Sequence, residues 1–94
     1  MTLEEAIDEA GSRVIERLER LRGISGSKDF LERILFSASA EEAAHRLRSW
    51  MEEAGMAVRY DELTNVYGSL DCSPEGPEGP RIHLGSHYDT VVNA

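Results

Sequence analysis

The spacing of apolar residues changes at Gly55, and this change restricts the chain to a fold that mixes helices and strands. Before Gly55, apolar side chains recur every three or four residues, as they do on one face of a helix. After Gly55 they alternate with polar ones, as in a strand with one buried face. The sequence therefore predicts the α/β fold class, with two amphipathic helices followed by about three short strands, as the start of a larger mixed-sheet domain.

The first predicted helix extends from about Thr2 to Arg22. Thr2 and Glu5 have the spacing of a capping box, and Gly23 stands where a helix commonly ends. One stripe of this helix is apolar, because its large side chains follow each other at steps of three and four residues. The stripe consists of Leu3, Ile7, Ala10, Val14, Leu18 and Leu21.

The second predicted helix has end signals of the same kind. Ser39 and Glu42 repeat the capping-box spacing, and Gly55 is expected to end the helix as its C′ residue. The apolar face of this helix consists of Ala40, Ala43, Ala44, Leu47, Trp50, Met51 and Ala54. Between the two helices, residues 28–35 are predicted to form a short helical turn.

Three short strands are predicted after the helices. Met56, Val58 and Tyr60 alternate with other residues, a second apolar run follows at 66–70, and residues 61–65 form the turn between them. A loop rich in proline and glycine at residues 73–80 leads to a third strand at residues 81–84. The predicted order is helix, helix, strand, strand, strand.

Charge and length exclude several classes of function. Ten Lys and Arg residues against 18 Asp and Glu residues give a net charge of −8, so phosphate groups of nucleic acids and of anionic membranes repel the chain. No apolar stretch approaches the roughly 20 residues that a membrane span needs. Because the chain has 94 residues, it has room for one domain.

The expected location is the cytoplasm. A secretory signal begins with basic residues and continues with an apolar run, whereas residues 1–10 contain acidic side chains and no basic ones. Cys72 is the single cysteine of the sequence and has no second cysteine to pair with, which agrees with a reducing compartment.

His87 and Asp89 have the strongest signal for chemistry. They stand two residues apart after the third predicted strand, at the edge where open α/β sheets place ligand sites. An imidazole nitrogen binds zinc, cobalt or manganese, and a nearby carboxylate holds the ring tautomer or shares the charge of the ion. An isolated His-x-Asp triplet also occurs by chance, so a hydrogen-bonded surface histidine is the alternative. His83 is predicted to be structural, and His45 to be solvated on the second helix with no role in a site.

Four segments of the chain resemble, in order and spacing, the N-terminal part of a group of metal-dependent amidases. The group contains allantoate amidohydrolase and N-carbamoyl-L-amino-acid hydrolase, and it is related to the aminoacylases and to the carboxypeptidases that use two zinc ions. The resemblance extends from about Gly23 to Ala94. Its segments are residues 33–37, residues 50–56, Asp61 with Asn65 and Gly68, and the Gly-Ser-His-Tyr-Asp-Thr-Val sequence at residues 85–91.

The resemblance implies that His87 is a metal ligand and that Asp89 has a catalytic role, orienting or electrostatically supporting the ligand shell. It further implies that the intact enzyme has a site with two divalent ions, Zn, Mn or Co, where a bridging water attacks a ureido or amide carbon of a small-molecule substrate. Whether residues 1–94 alone bind an ion stays open. A glutamate from a later Glu-Glu pair serves the family as general base, and the intact enzyme is expected to be a homodimer.

Two departures from the family pattern are visible. Thr64 precedes Asn65 where the family usually has glycine. This difference leaves the conformation of that turn open, but it does not affect the assignment of the site residues. The bridging aspartate, the Glu-Glu pair, the further histidine ligands and the lid or dimerisation domain have no counterpart up to Ala94. Residues 1–94 are therefore expected to be a single N-terminal fragment of a metallohydrolase catalytic domain, inactive alone.

Two alternatives stay open, and both concern function rather than fold class. A small acidic interaction module would present its two helices to a partner and leave His87 incidental. A dipeptidase or aminoacylase of the wider group would act on another substrate. Because a chain of this size is marginally stable and has the apolar pair Val91 and Val92 near its end, it is also expected either to self-associate or to remain partly disordered at residues 85–94.

Overall fold

Two helices followed by a β-hairpin form the part of the chain that the computed structural model describes, residues 1–72, 74 and 79–90. The elements are α1 (Leu3–Arg22), α2 (Ala38–Glu53), β1 (Ala57–Tyr60) and β2 (Val66–Ser69). The predicted α/β class, both helices and the first two strands are confirmed. Neither helix has the length and apolar character that crossing a bilayer requires, within these described ranges.

α1 begins with the predicted capping box. The Thr2 hydroxyl accepts a hydrogen bond from the Glu5 amide at 3.1 Å, and the Glu5 carboxylate accepts one from the Thr2 amide at 3.3 Å. No residue of α1 is buried. The apolar stripe is 55–78% exposed at Leu3, Ile7, Val14 and Leu18.

The N-cap of α2 is Ser37, so the prediction of Ser39 is wrong. Ser37 has an extended backbone, and its hydroxyl accepts from the Ala40 amide at 3.2 Å. Ser39 lies in the first turn and is buried, and its hydroxyl donates to the Glu32 carbonyl oxygen at 3.1 Å. The Ser39 side chain is therefore bonded to the preceding loop and is not the group that caps the helix.

The predicted end of α2 at Gly55 is confirmed. The φ angle of Gly55 is +88°, a conformation that glycine adopts at little cost because it lacks Cβ. The amide of Gly55 donates to the Glu52 carbonyl oxygen, and that of Met56 donates to the Met51 carbonyl oxygen, both at 3.0 Å. This pair of bonds is a Schellman motif, and it turns the chain from α2 directly into β1.

Residues 28–35 form no helical turn, so this prediction is wrong. The Ser25 hydroxyl accepts from the Glu32 amide and donates to the Phe30 carbonyl oxygen, both at 2.9 Å. The Gly26 amide donates to the Glu32 carbonyl oxygen at 2.8 Å. Because these bonds occupy backbone groups that a helical turn would use, the segment closes as a loop.

The hairpin is antiparallel, with Ala57 opposite Ser69 and Tyr60 opposite Val66. α2 packs against both of its strands. Gly68 allows a close approach, because a Cβ at that position would lie 2.9 Å from Met51 Sδ. The buried apolar residues of the described chain are few and mostly small: Ile24, Ala40, Ala43 and Ala44.

The third predicted strand, at residues 81–84, is not formed. The segment pairs with neither strand of the hairpin, and Ile82 and Leu84 are 90% and 94% exposed. A strand needs a neighbour for its backbone groups, and no further strand lies in the described part of the chain. Most of the predicted loop at residues 73–80, and the pair Val91 and Val92, lie outside the described residues.

Candidate metal site

His87 and Asp89, the predicted site residues, contact each other. His87 Nδ1 lies 3.0 Å from the Asp89 carbonyl oxygen and 3.4 Å from Asp89 Oδ1. Because a carbonyl oxygen only accepts, the first contact is a hydrogen bond when the proton is on Nδ1. Nε2 then has the free lone pair with which an imidazole binds metal. The His87 side chain is 83% exposed, so an ion in solution can reach it.

The two neighbours of Asp89 attach the backbone of this segment to distant parts of the chain. The Tyr88 hydroxyl donates to the Thr64 carbonyl oxygen at 2.6 Å, and the Tyr88 carbonyl oxygen accepts from Arg33 Nε at 2.8 Å. The Thr90 amide donates to the Arg33 carbonyl oxygen at 2.9 Å. The Thr90 hydroxyl accepts from the Arg33 amide at 2.9 Å. Asp89 therefore lies between two residues that are both bonded to the body of the fold.

Arg33 is buried, with 6% of the residue exposed. Its Nη1 donates to the Ile24 carbonyl oxygen at 3.0 Å and to the Leu21 carbonyl oxygen, at the C-terminal end of α1. Burial lowers the pKa of Arg33, but an arginine side chain stays protonated in proteins. The negative end of the helix dipole stabilises this charge.

Asp61 organises the turn to which Tyr88 is bonded. Asp61 Oδ1 accepts from the Asn65 amide at 2.9 Å, and Oδ2 accepts from Asn65 Nδ2 at 2.8 Å and from the Tyr67 hydroxyl at 2.9 Å. The bond from the Asn65 side chain is the main cause that lowers the pKa of Asp61 to about 2. This ionised carboxylate fixes the predicted turn at residues 61–65, which presents the Thr64 carbonyl oxygen to Tyr88.

The other two histidines have different surroundings. His45, on α2, lies 3.8 Å from Glu41 through Nε2 and 3.4 Å from the Tyr60 hydroxyl through Nδ1. His83 is exposed. Across residues 1–72, 74 and 79–90, no three His, Cys, Asp or Glu side chains form a group that could hold a metal ion. The pair at residues 87 and 89 thus offers fewer ligands than the roughly three that a catalytic zinc takes from protein.

Sequence reasoning did not identify Arg33, Tyr88 or Thr90 as contributors to the site. Arg33 gives one signal, because it is a charged residue among the apolar residues Leu31 and Ile34, and a buried charge requires partners. Two of its partners, Leu21 and Ile24, are 12 and 9 positions away, but Tyr88 and Thr90 are 55 and 57 positions away. No local pattern indicates contacts over such a separation.

Comparison with curated proteins finds relatives over most of the chain. Allantoate deiminase 1 of Glycine max is 38% identical over 80 residues, which are 85% of this chain and 16% of that protein. An N-carbamoyl-L-amino-acid amidohydrolase of Pseudomonas sp. (strain NS671) is 35% identical over 77 residues, 81% of this chain and 18% of that protein. Allantoate amidohydrolase of Escherichia coli (strain K12) is 37% identical over 65 residues, 67% of this chain and 15% of that protein.

The chain therefore spans less than a fifth of the length of these three relatives. Their names are those of the group that the four sequence segments resemble. No model of a protein family matches the chain, and no solved structure matches it.

Proposed function

Because this chain belongs to the family of the allantoate deiminases and N-carbamoyl-L-amino-acid amidohydrolases, we propose that it supplies His87 as a metal ligand to an enzyme of this kind. The enzyme hydrolyses a linear amide or ureido C–N bond in allantoate or an N-carbamoyl amino acid. Two divalent ions, Zn, Mn or Co, occupy its site, and Asp89 supports His87. The cytoplasmic location and the homodimer stay predictions from the sequence.

The contact between His87 and Asp89 is the observation that carries this proposal. A metal-bound histidine almost always donates its other ring N–H to a carboxylate or to a backbone carbonyl, which fixes the tautomer and makes the ligand more basic. Asp89 offers His87 Nδ1 both kinds of acceptor, the carbonyl oxygen at 3.0 Å and Oδ1 at 3.4 Å. Nε2 is therefore the proposed ligand atom.

The residues of this chain perform a limited part of the chemistry. Divalent ions, when held by His87 and further ligands of the enzyme, would supply Lewis-acid chemistry and would lower the pKa of a water to about 7. His87 contributes the Nε2 lone pair, and the negative charge of Asp89 beside the ring favours a nearby cation. Tyr88, which lies between these two residues, and Thr90, which follows Asp89, fix the backbone through their hydrogen bonds to Thr64 and Arg33.

We expect no hydrolysis by the 94-residue chain alone. A catalytic zinc needs about three protein ligands, and among the residues that the structure describes no such group converges. Turnover is measured with allantoate, an N-carbamoyl amino acid, an N-acyl amino acid and a dipeptide, in the presence of Zn²⁺, Mn²⁺ or Co²⁺. Turnover that His87→Ala abolishes would contradict this expectation, and the preferred substrate would then distinguish an amidohydrolase from an aminoacylase or dipeptidase.

A Zn²⁺ titration of the ¹⁵N-labelled chain, followed by the amide resonances, tests the role of His87. We expect saturable shifts at His87 and Asp89 that disappear in His87→Ala. His45→Ala is the matched control, because it removes another exposed histidine, and it should leave the shifts unchanged. A response that is the same in both variants contradicts the proposal.

One observation favours a second function, a small acidic interaction module. The apolar stripe of α1 is more than half exposed at Leu3, Ile7, Val14 and Leu18, and exposed apolar surface of this kind is common at protein interfaces. In this second function, a second copy of the chain covers the exposed stripe, because the small core makes a single copy marginally stable. The module predicts concentration-dependent association and no saturable Zn²⁺ response at His87.

A further inference from the structure

The geometry points to Arg33 as a positioning residue for the His87 and Asp89 pair, acting through the backbone of residues 88–90. The inference rests on the proposed function, because the placement of the pair affects activity only if the pair binds an ion. It adds a residue that lies outside the ligand set and more than fifty positions earlier in the chain.

Arg33 holds both neighbours of Asp89. Its Nε donates to the Tyr88 carbonyl oxygen at 2.8 Å. Its backbone amide donates to the Thr90 hydroxyl, and its carbonyl oxygen accepts from the Thr90 amide, both at 2.9 Å. Side chain and backbone of one residue therefore fix the chain immediately before and immediately after Asp89.

Arg33 is itself fixed to α1. Its Nη1 donates to the carbonyl oxygens of Leu21 and Ile24, while its Nε is bonded to Tyr88. A planar guanidinium presents these donors at a fixed separation, whereas a lysine ammonium has one nitrogen at the end of a flexible stem. Lysine at this position therefore cannot bridge Tyr88 and the end of α1 in the same way, although it keeps the charge.

Tyr88 and Thr90, the two residues bonded to Arg33, alternate along the chain with His87 and Asp89, the pair that is proposed to bind metal. The side chains of Tyr88 and Thr90 are bonded to the fold, and those of His87 and Asp89 meet each other at 3.4 Å. Release of the anchors would let Asp89 move away from His87 Nδ1. Outer-shell losses of this kind typically weaken metal affinity by about 10–100-fold.

Two measurements on the ¹⁵N-labelled 94-residue chain test this role, amide hydrogen exchange and the apparent Kd for Zn²⁺. In Arg33→Lys we expect the protection of the Thr90 amide to fall by about tenfold or more, and the Kd to rise by about 10–100-fold. The Asn65 amide, which donates to Asp61, is the internal control and should keep its protection. Arg48→Lys, at an exposed arginine of α2, is the matched variant and should change neither quantity.

Thr90 provides a second pair of variants that keeps Arg33 intact. Thr90→Val keeps the shape of the side chain but removes the hydroxyl that accepts from the Arg33 amide, and it should weaken Zn²⁺ binding. Thr90→Ser restores that hydroxyl and should restore the wild-type Kd. A selective loss of Thr90 protection with this rescue supports the positioning role, because general destabilisation would also expose Asn65.

The inference is overturned if Arg33→Lys keeps both the Thr90 protection and the wild-type Kd, or if Thr90→Ser binds Zn²⁺ as weakly as Thr90→Val. Failure of the proposed function gives a different result. His87→Ala would then leave the Zn²⁺ response unchanged, while exchange at Thr90 in Arg33→Lys would still decide whether Arg33 holds the segment.

Discussion

Thr64 has a φ angle of +61° in the turn between β1 and β2, and we predict that Thr64→Gly stabilises the chain. The left-handed conformation costs a residue with Cβ about 1–2 kcal/mol, and a β-branched side chain suits it least. Glycine removes this cost but loses more backbone freedom on folding, which offsets about 0.5–1 kcal/mol. The expected net gain in the free energy of unfolding is about 0.5–1 kcal/mol.

The substitution preserves the other contacts of the turn. The Thr64 amide donates to the Asp61 carbonyl oxygen at 3.1 Å, and the Thr64 carbonyl oxygen accepts from the Tyr88 hydroxyl at 2.6 Å. Both bonds use backbone atoms that glycine retains. The Thr64 hydroxyl donates only to the adjacent Leu63 carbonyl oxygen among the described residues. The relief of strain is therefore the main change.

Thermal unfolding followed by far-UV circular dichroism measures this gain. For a domain of this size, 1 kcal/mol shifts Tm by about 4–8 °C, so Thr64→Gly should raise Tm by about 2–8 °C. Thr64→Asn should also raise it, because asparagine tolerates the left-handed region. Thr64→Ala keeps Cβ and should gain least. If neither glycine nor asparagine raises Tm, the reasoning from backbone strain is refuted.

Three further predictions concern the helices and the turn. Ser37→Ala removes the N-cap hydroxyl of α2 and should lower the free energy of unfolding by about 1 kcal/mol. Ser49→Ala, on the exposed side of α2, is the control and should leave that free energy unchanged. Equal urea midpoints for the two variants would contradict this prediction. The pKa of Asp61 is about 2 in the folded chain against its ordinary 3.8, so its stabilising contribution is complete above pH 3.8 and is lost as the pH falls through 2. Asp61→Asn should therefore flatten the dependence of the urea midpoint on pH over this range, and an unchanged slope would refute the assignment. Leu18→Glu in the exposed stripe of α1 should lower the average mass in sedimentation equilibrium, and a mass equal to that of the unsubstituted chain would show that a second copy does not cover the stripe.

The features that could be predicted from the sequence depend on residues close together in the chain. Thr2 and Glu5 are three positions apart and form the predicted capping box. Gly55 was identifiable as the end of α2 because the left-handed backbone there favours glycine. The N-cap of α2 was not identifiable, because Ser37 and Ser39 are both good capping residues. The helix begins at Ala38, so Ser37 has the extended backbone of an N-cap and Ser39 already lies in the first turn.

In the candidate site, too, contacts between residues close in the sequence could be predicted and contacts between distant residues could not. His87 and Asp89 are two positions apart with one residue between them, and this spacing allowed the prediction that a carboxylate lies near the ring. The anchoring of this pair by Arg33 depends on how a loop of the first half packs against residues 88–90, which no spacing encodes. The periodicity of α1 identified its apolar stripe but not its exposure, because exposure depends on what packs against the helix.

In the proposed function, His87 binds a divalent ion through Nε2 while Nδ1 stays bonded to Asp89. The ¹⁵N chemical shifts of the ring nitrogens of the three histidines, recorded as Zn²⁺ is added, test it most directly. We expect a saturable shift at His87 Nε2, a proton retained on Nδ1, and unchanged ring shifts at His45 and His83. Asp89→Asn should weaken the binding by about 10–100-fold without abolishing it. Ring ¹⁵N shifts of His87 that do not change with Zn²⁺ would contradict this binding mode. A shift at Nδ1 with loss of its proton would contradict it as well.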